Sequence, residues 1–403
     1  SDQVRARGAR VRDEGVEHYQ ARRYFQAIRS VEAALERAAE SERRDLLTLL
    51  ARFQSAVGVE LFNAGEGRQA EDAFRAALGH AEDSYAHFGL GFLHFVRLED
   101  PKALEHLTEA ARLEPTYGKA QKLLALLDYR QGRLALALTK MREARRLDPA
   151  DAEAGALLAR WDLETRWTGS FREKENGRFF LRMDPDLPGS RLEEVAGRLE
   201  RARRDIAERL SLGDLPPRSS RGTRRITVVL FSEKRFQAAT GSLHWVGGVF
   251  DGQIKLPVKP GRDAAAEAEL ESAVRHEMSH FAIRELGPEC PNWLNEGIAQ
   301  HFERAGQAEA VKARLKDGAA RRVSFKNIPS RLWEVDDEDL ARWSYLQGLG
   351  FVEFLSLRYL PFRLRLCLEA ITRERSVSKA FEVTYGAPFE ELEALWWKEI
   401  ERG

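Results

Sequence analysis

Two histidines four residues apart, with an acid between them, carry the first chemistry in this chain: His276-Glu277-Met278-Ser279-His280. On a helix, positions i and i+4 share one face, so both imidazoles reach a single ion. Glu277 projects about 100° further round the helix, close enough to act on a metal-bound water without being a ligand. A catalytic zinc takes a third protein ligand and keeps one position open. The candidate is Glu296, in Pro291-Asn-Trp-Leu-Asn-Glu-Gly-Ile-Ala299. Between His280 and Glu296 lie fifteen residues, including a Gly287-Pro288 break and Cys290-Pro291. A break there lets a second helix fold back antiparallel and deliver its carboxylate to the same ion. The implied metal is Zn2+, held by His276, His280 and Glu296.

The elements that must position these residues belong to a module mixing strands and helices, from about Phe171 onward. Phe171–Glu173 and Arg178–Met183 flank Glu-Asn-Gly at 175–177, a hairpin turn signal. Arg191–Leu212 has helical periodicity, and a polar loop at Gly213–Gly222 follows it. Arg225–Phe231 is a β-branched run that reads as a buried strand. Trp245–Leu256 reads as two strand pieces around Asp251-Gly252, a strong hairpin signal. The metal helix spans Ala264–Leu286, and from Ala264 onward the pattern is nearly all helix.

The first part of the chain follows a different plan. All eight tryptophans lie at or beyond Trp161, and only three of fourteen prolines come earlier. That shift places a boundary near residue 165, with modules at 1–165 and 166–403. Glu109-Ala-Ala-Arg-Leu-Glu-Pro115 recurs as Glu143-Ala-Arg-Arg-Leu-Asp-Pro149, a period of 34. A small residue opens the second helix of each unit at Ala27, Ala70, Ala103 and Ala137, so the first unit carries an insertion. Units of this length, with small residues where two antiparallel helices cross, resemble tetratricopeptide repeats. Such arrays stack into a superhelix whose concave face grips a peptide or partner segment. His87 and His94, seven apart on an expected helix, read as face or groove residues with nothing nearby to complete a metal set. The fold class expected is α+β and mostly helical: an N-terminal tetratricopeptide-repeat α-solenoid, then a domain of helices on a small sheet whose His-Glu-x-x-His helix makes it resemble zincin-like metallopeptidases.

Charge and composition bound the partners. Lys plus Arg equals Asp plus Glu at 64 each, which gives no electrostatic case for nucleic acid or an anionic membrane. With 32% charged and 43% hydrophobic residues, the chain reads as soluble and globular. Its apolar runs are too short to span a bilayer. Two cysteines, Cys290 and Cys367, make neither a disulfide scaffold nor a Cys-x-x-Cys metal site. The sequence begins at Ser1 with no signal peptide and no initiator Met, which leaves the compartment open.

His-Glu-x-x-His followed by Trp-Leu-Asn-Glu-Gly resembles the gluzincin zinc metallopeptidases, and the second string is also like that of zinc aminopeptidases. The short spacer and the attached repeats look more like bacterial peptidase-MA-like proteins. The tail from Ala380 to Trp396 is similar to the way such domains end. The resemblance implies an endopeptidase ahead of an aminopeptidase. The latter needs an acidic anchor for the substrate amine, for which only Glu289 or Asp251 offers itself. It implies Glu277 as general base and proton shuttle, and an oxyanion donor at Tyr345, with His244 and His301 weaker candidates. His301 lies five residues beyond Glu296, a spacing that turns it from the ligand face. The resemblance also places a substrate-pairing edge strand in Trp245–Leu256, where Gly247 and Gly248 allow close approach; a plain bulge is the competing explanation. Gluzincins place an acid shortly after the glutamate ligand; here that position is Gln300, and the nearest acid on that helix is Glu303. Similar proteins are exported, which points towards the bacterial envelope. The expected partners are a peptide or protein substrate and a protein segment in the repeat groove. A rival of another class is a repeat-based adaptor with an inert or structural zinc domain.

Overall fold

The computed structural model describes residues 2–215, 225–240, 247–303, 308–318, 321–328 and 338–402. It is mostly helical, with one small mixed sheet. Two compact units divide the chain. One holds the residues up to Ala159 apart from Arg130–Gly132; the other holds Arg130–Gly132 and everything from Arg160 onward. Among the described residues, no helix is long and apolar enough to cross a membrane.

The first unit is built from α1 (Asp2–Gln20), α2 (Tyr24–Leu35), α3 (Glu40–Asn63), α4 (Gly67–His80), α5 (Ser84–Val96), α6 (Asp100–Leu113), α7 (Gly118–Arg130), α8 (Leu134–Leu147) and the start of α9 (Ala152–Thr168). Helices α1 and α2, α3 and α4, and α5 and α6 pack as hairpins. Ala27, Ala70, Ala103 and Ala137 have no exposed surface, as a close helix crossing requires. The turn inside each hairpin is as regular as the alanines. Arg22, Gly65, Leu98 and Gly132 all have positive φ, and they follow the same spacings of 43, 33 and 34 residues. The next amide in each case reaches back five residues: Arg23 to His18, Glu66 to Leu61, Glu99 to His94 and Arg133 to Asp128, at 2.8–2.9 Å. This closure satisfies carbonyls that the helix end leaves open. Glycine adopts it freely, whereas Arg22 and Leu98 bear a strain of about 1 kcal/mol each. The repeat geometry therefore overrides local preference, and the unit is a tetratricopeptide-like scaffold. Phe74 of α4 wedges between α3 and α5. A Cβ on Gly58 would lie 2.6 Å from its ring, and one on Gly89 2.3 Å.

The second unit centres on strands β1 (Arg172–Asn176), β2 (Phe179–Met183), β3 (Ile226–Ser232), β4 (Val249–Phe250) and β5 (Ile254–Val258), ordered β1-β2-β3-β5-β4. The inner pairings are parallel and the two outer ones antiparallel. The first hairpin turns later than the 175–177 signal suggests. Pairing continues to Asn176 opposite Phe179, and Gly177 supplies the positive φ of 57°. The Asp251-Gly252 hairpin forms as expected, with Gly252 at φ 114°. Strand β3 is buried on both faces. Its Ile226, Val228 and Leu230 join β2, β5, α10 (Ser190–Arg209) and α12 (Ala264–Leu286) in one core. Val229 and Phe231 pack on the other side with Phe171, Phe236 and Ala239. Lys255, alternating with Ile254 and Leu256, is buried beneath that second face. Its Nζ lies 2.6 Å from Glu164 Oε2 and 3.0 Å from Asp251 Oδ2.

Candidate metal centre

Helix α12 starts where the Asp263 carboxylate caps the Ala266 amide at 2.8 Å. It buries Leu270, Val274, Met278, Phe281 and Ala282 in the core, which leaves His276 and His280 facing α13 (Asn292–Glu303). The expected break forms at Gly287. A Cβ there would lie 2.5 Å from the carbonyl oxygen of Leu368 on α16 (Phe362–Glu374), so only glycine fits. Pro291 then opens α13, its carbonyl accepting from the amides of Leu294 and Asn295 at 3.0 Å.

That return brings the three expected ligands together. His276, His280 and Glu296 each offer a ligand atom within 4.8 Å of the others. The two Nε2 atoms are 3.1 Å apart, and the Glu296 oxygens lie 3.6 and 3.7 Å from them. Tetrahedral zinc with bonds of 2.0–2.1 Å needs ligand atoms about 3.3 Å apart. The donor set therefore has the spacing of a zinc site.

The far sides of both rings are held. His276 Nδ1 donates to Glu303 Oε2 at 3.2 Å, and His280 Nδ1 donates to Asn295 Oδ1 at 2.9 Å. Ser272 Oγ donates to the other Glu303 oxygen. With the protons on Nδ1, both Nε2 lone pairs converge on a carboxylate, an arrangement that a cation satisfies. Sequence reading leaves this support unassigned because it looks to Gln300, one turn past Glu296. Glu303 lies seven residues past it, two turns on along the same face.

Glu277 is buried beside this set, and its Oε2 has no hydrogen-bond partner among the described residues. Burial pushes its carboxyl up to about 8, with His276 opposing and Glu296 and Glu303 adding to the rise. A bound cation acts in the lowering sense. For Glu296 burial also works upward, but the two imidazoles outweigh it and hold the group below the usual carboxylate range. Gly248 lies against Glu277: a Cβ there would be 2.7 Å from Glu277 Oε1. The bare face of Gly248, just before the edge strand β4, is thus occupied by the Glu277 carboxylate.

Tyr345 comes from α15 (Glu338–Arg358). It is partly buried, and burial raises its phenol, followed by the carboxylates of Glu296 and Glu277. It therefore lies within the field of both acids. His244 and Trp245 lie outside the described residues. His301 turns away, as its spacing predicted: Nδ1 pairs with Glu353 Oε1 at 2.9 Å and Nε2 with Ser356 Oγ at 3.4 Å. Asp251 is committed to Lys255 and Arg160, which removes it as an amine anchor, and Glu289 is exposed. The reading of His87 as lacking metal-competent neighbours is corrected: folding brings Glu82 and Glu109 to it from outside α5. His94 pairs with Glu99 at 2.5 Å.

No protein-family model matches the chain, and no curated protein matches it. Solved structures to which it is similar include two of MamA, one a mutant and one the AMB-1 protein. Each is 20% identical with a TM-score of 0.28; they cover 40% and 39% of this chain and 88% and 81% of their own. Another is a thermophilic TPR protein of Thermus thermophilus, TTC0263, 22% identical, with a TM-score of 0.24. It covers 39% of this chain and 99% of its own.

Proposed function

We propose that the second unit is a zinc-dependent peptidase of gluzincin type, and that the repeats recruit a protein substrate or partner. The observation that carries this reading is the convergence of His276, His280 and Glu296 at zinc-ligand spacing, with a Glu277 oxygen beside them that has no hydrogen-bond partner among the described residues. No comparison bears on hydrolysis; the support is geometric and chemical.

When bound, the ion supplies Lewis-acid chemistry, polarising a carbonyl and acidifying water. The chain's own residues do the rest. Glu303 and Asn295 keep the Nδ1 protons in place, so that both Nε2 lone pairs stay available. Glu277 Oε2 takes a proton from the attacking water and passes it to the leaving amine. Tyr345 Oη donates to the oxyanion that develops on the scissile carbonyl. Gly248, lacking a side chain, lets Glu277 sit against the start of β4, which among the described residues is an edge strand along which an extended peptide pairs.

Replacing Glu277 with Gln tests the reading. The amide occupies the same space yet cannot accept the proton, so zinc content and fold should persist while peptide cleavage falls at least ~10²-fold. Replacing Glu296 with Ala should lower zinc content by one ion per chain. An unchanged cleavage rate in Glu277→Gln would remove the base, and unchanged zinc in Glu296→Ala would remove the third ligand.

A second reading is a repeat-based adaptor whose zinc domain is inert or structural. The regular helical-hairpin array is the observation in its favour. It predicts partner capture that survives Glu277→Gln and no cleavage by the wild type.

A further inference from the structure

The first unit contains a second cluster of ligating side chains, remote in sequence from the first. Glu82 lies between α4 and α5, His87 on α5 and Glu109 on α6. Each offers a ligand atom within 4.8 Å of the others. His87 is the centre. Its Nε2 lies 3.1 Å from Glu82 Oε2, and its Nδ1 lies 3.0 Å from His106 Nδ1.

Two imidazole nitrogens at 3.0 Å share one proton between them. With that proton on His87, its Nδ1 donates to His106 and its Nε2 presents a lone pair to a carboxylate. In that tautomer a cation between Nε2 and the carboxylate removes their repulsion. With the shared proton on His106, His87 Nε2 instead donates to Glu82 at 3.1 Å, and a cation binds there by displacing that Nε2 proton. Glu109 brings a second carboxylate to the same point. Arg112 already bonds Glu109 through three contacts. A carboxylate accepts about four such bonds, so one position remains for an ion. His87 is mostly buried, with its side chain 12% exposed, whereas Glu82 is 65% exposed. The ring is thus fixed before binding, and water can complete the coordination from the Glu82 side.

We propose that Glu82, His87 and Glu109 form a second divalent-metal site, with His106 fixing the orientation of the His87 ring. One imidazole and two carboxylates suit Zn2+ or a similar first-row ion. Because the ligands come from the α4–α5 connection, α5 and α6, the ion ties three consecutive segments of the repeat array. Its role is to stiffen that hairpin, and it is independent of any peptidase activity.

Zinc binding by equilibrium dialysis tests the site, using the full chain with His276 and His280 both replaced by Ala to remove the other ligand set. One saturable zinc per chain is expected. Glu82→Gln and Glu109→Gln should each weaken it at least tenfold, and His87→Ala should abolish it. If His87→Ala fails to fold, the two carboxylate variants decide, because their side chains are exposed or half-exposed. With His276 and His280 intact, Glu82→Gln should weaken one of two bound zinc ions by the same factor while cleavage, where present, is unchanged. Absence of saturable binding in the double-histidine background, or undiminished affinity in both carboxylate variants, would overturn the proposal.

Discussion

Gly297 and Gly348 meet backbone to backbone, where α13 crosses α15. A Cβ on Gly297 would lie 2.4 Å from the Gly348 carbonyl oxygen, and one on Gly348 would lie 2.4 Å from the Trp293 carbonyl oxygen. The crossing sets the distance between two side chains of the proposed site. Glu296 is next to one glycine, and Tyr345 stands one turn before the other. A methyl group at either glycine must push the helices apart. Gly348→Ala should therefore cost about 1–3 kcal/mol in denaturant unfolding, and should lower turnover more than zinc content. Wild-type stability in this variant would mean that the crossing relaxes freely.

Tyr345→Phe removes one hydroxyl and leaves that crossing intact. An oxyanion donor acts mainly in the transition state, so kcat should fall while KM and zinc content stay close to wild type. Loss of one such donor costs about 10²–10³-fold in a preorganised site. Full activity in a folded Tyr345→Phe protein would reduce the residue to packing.

Glu303→Gln tests the support behind His276. Gln retains the length and can still accept a hydrogen bond, but it loses the charge that favours the Nδ1-protonated ring. Zinc affinity should drop about 10–100-fold, read by competition with a chromogenic chelator, while Glu303→Ala should drop it further. Equal affinity in all three proteins would make the His276–Glu303 contact incidental.

The three candidate ligands were legible in the sequence because two of them share one helix face and a short break returns the third on the next helix. The i, i+4 histidines and the break at Gly287-Pro288 depend only on helix geometry and proline stereochemistry. Glu303 and Asn295 were not legible, because which imidazole each reaches depends on how α13 docks against α12. The same limit hid the Glu82–His87–Glu109 cluster: Glu82 precedes α5 and His87 lies on it, but Glu109 on α6 reaches them only when the hairpin closes. The repeat alanines were readable from their period. The strained turns at Arg22 and Leu98 were not, since neither residue type signals positive φ.

Lys255 provides a test of the sheet's second face that is independent of any metal. Its ammonium is fully buried between Glu164 and Asp251. Burial lowers it to about 8 from 10.5; the Glu164 charge opposes this, and Arg160 and Arg182 reinforce it. Below pH 8 the folded and unfolded chains both hold this proton. Between about 8 and 10.5 the unfolded chain holds it while the folded chain has released it, so the unfolded state binds more protons. Stability from this group therefore rises with pH across that window and levels off above it. The full rise is of order 3 kcal/mol at 1.36 kcal/mol per pH unit. Lys255→Met removes the titration while keeping a long side chain in place. Urea unfolding at several pH values between about 7.5 and 10 should show a stability difference between wild type and Lys255→Met that shifts in favour of the wild type as pH rises. A difference constant across that range would show that Lys255 keeps its proton when folded, with Glu164 and Asp251 outweighing the cost of burial.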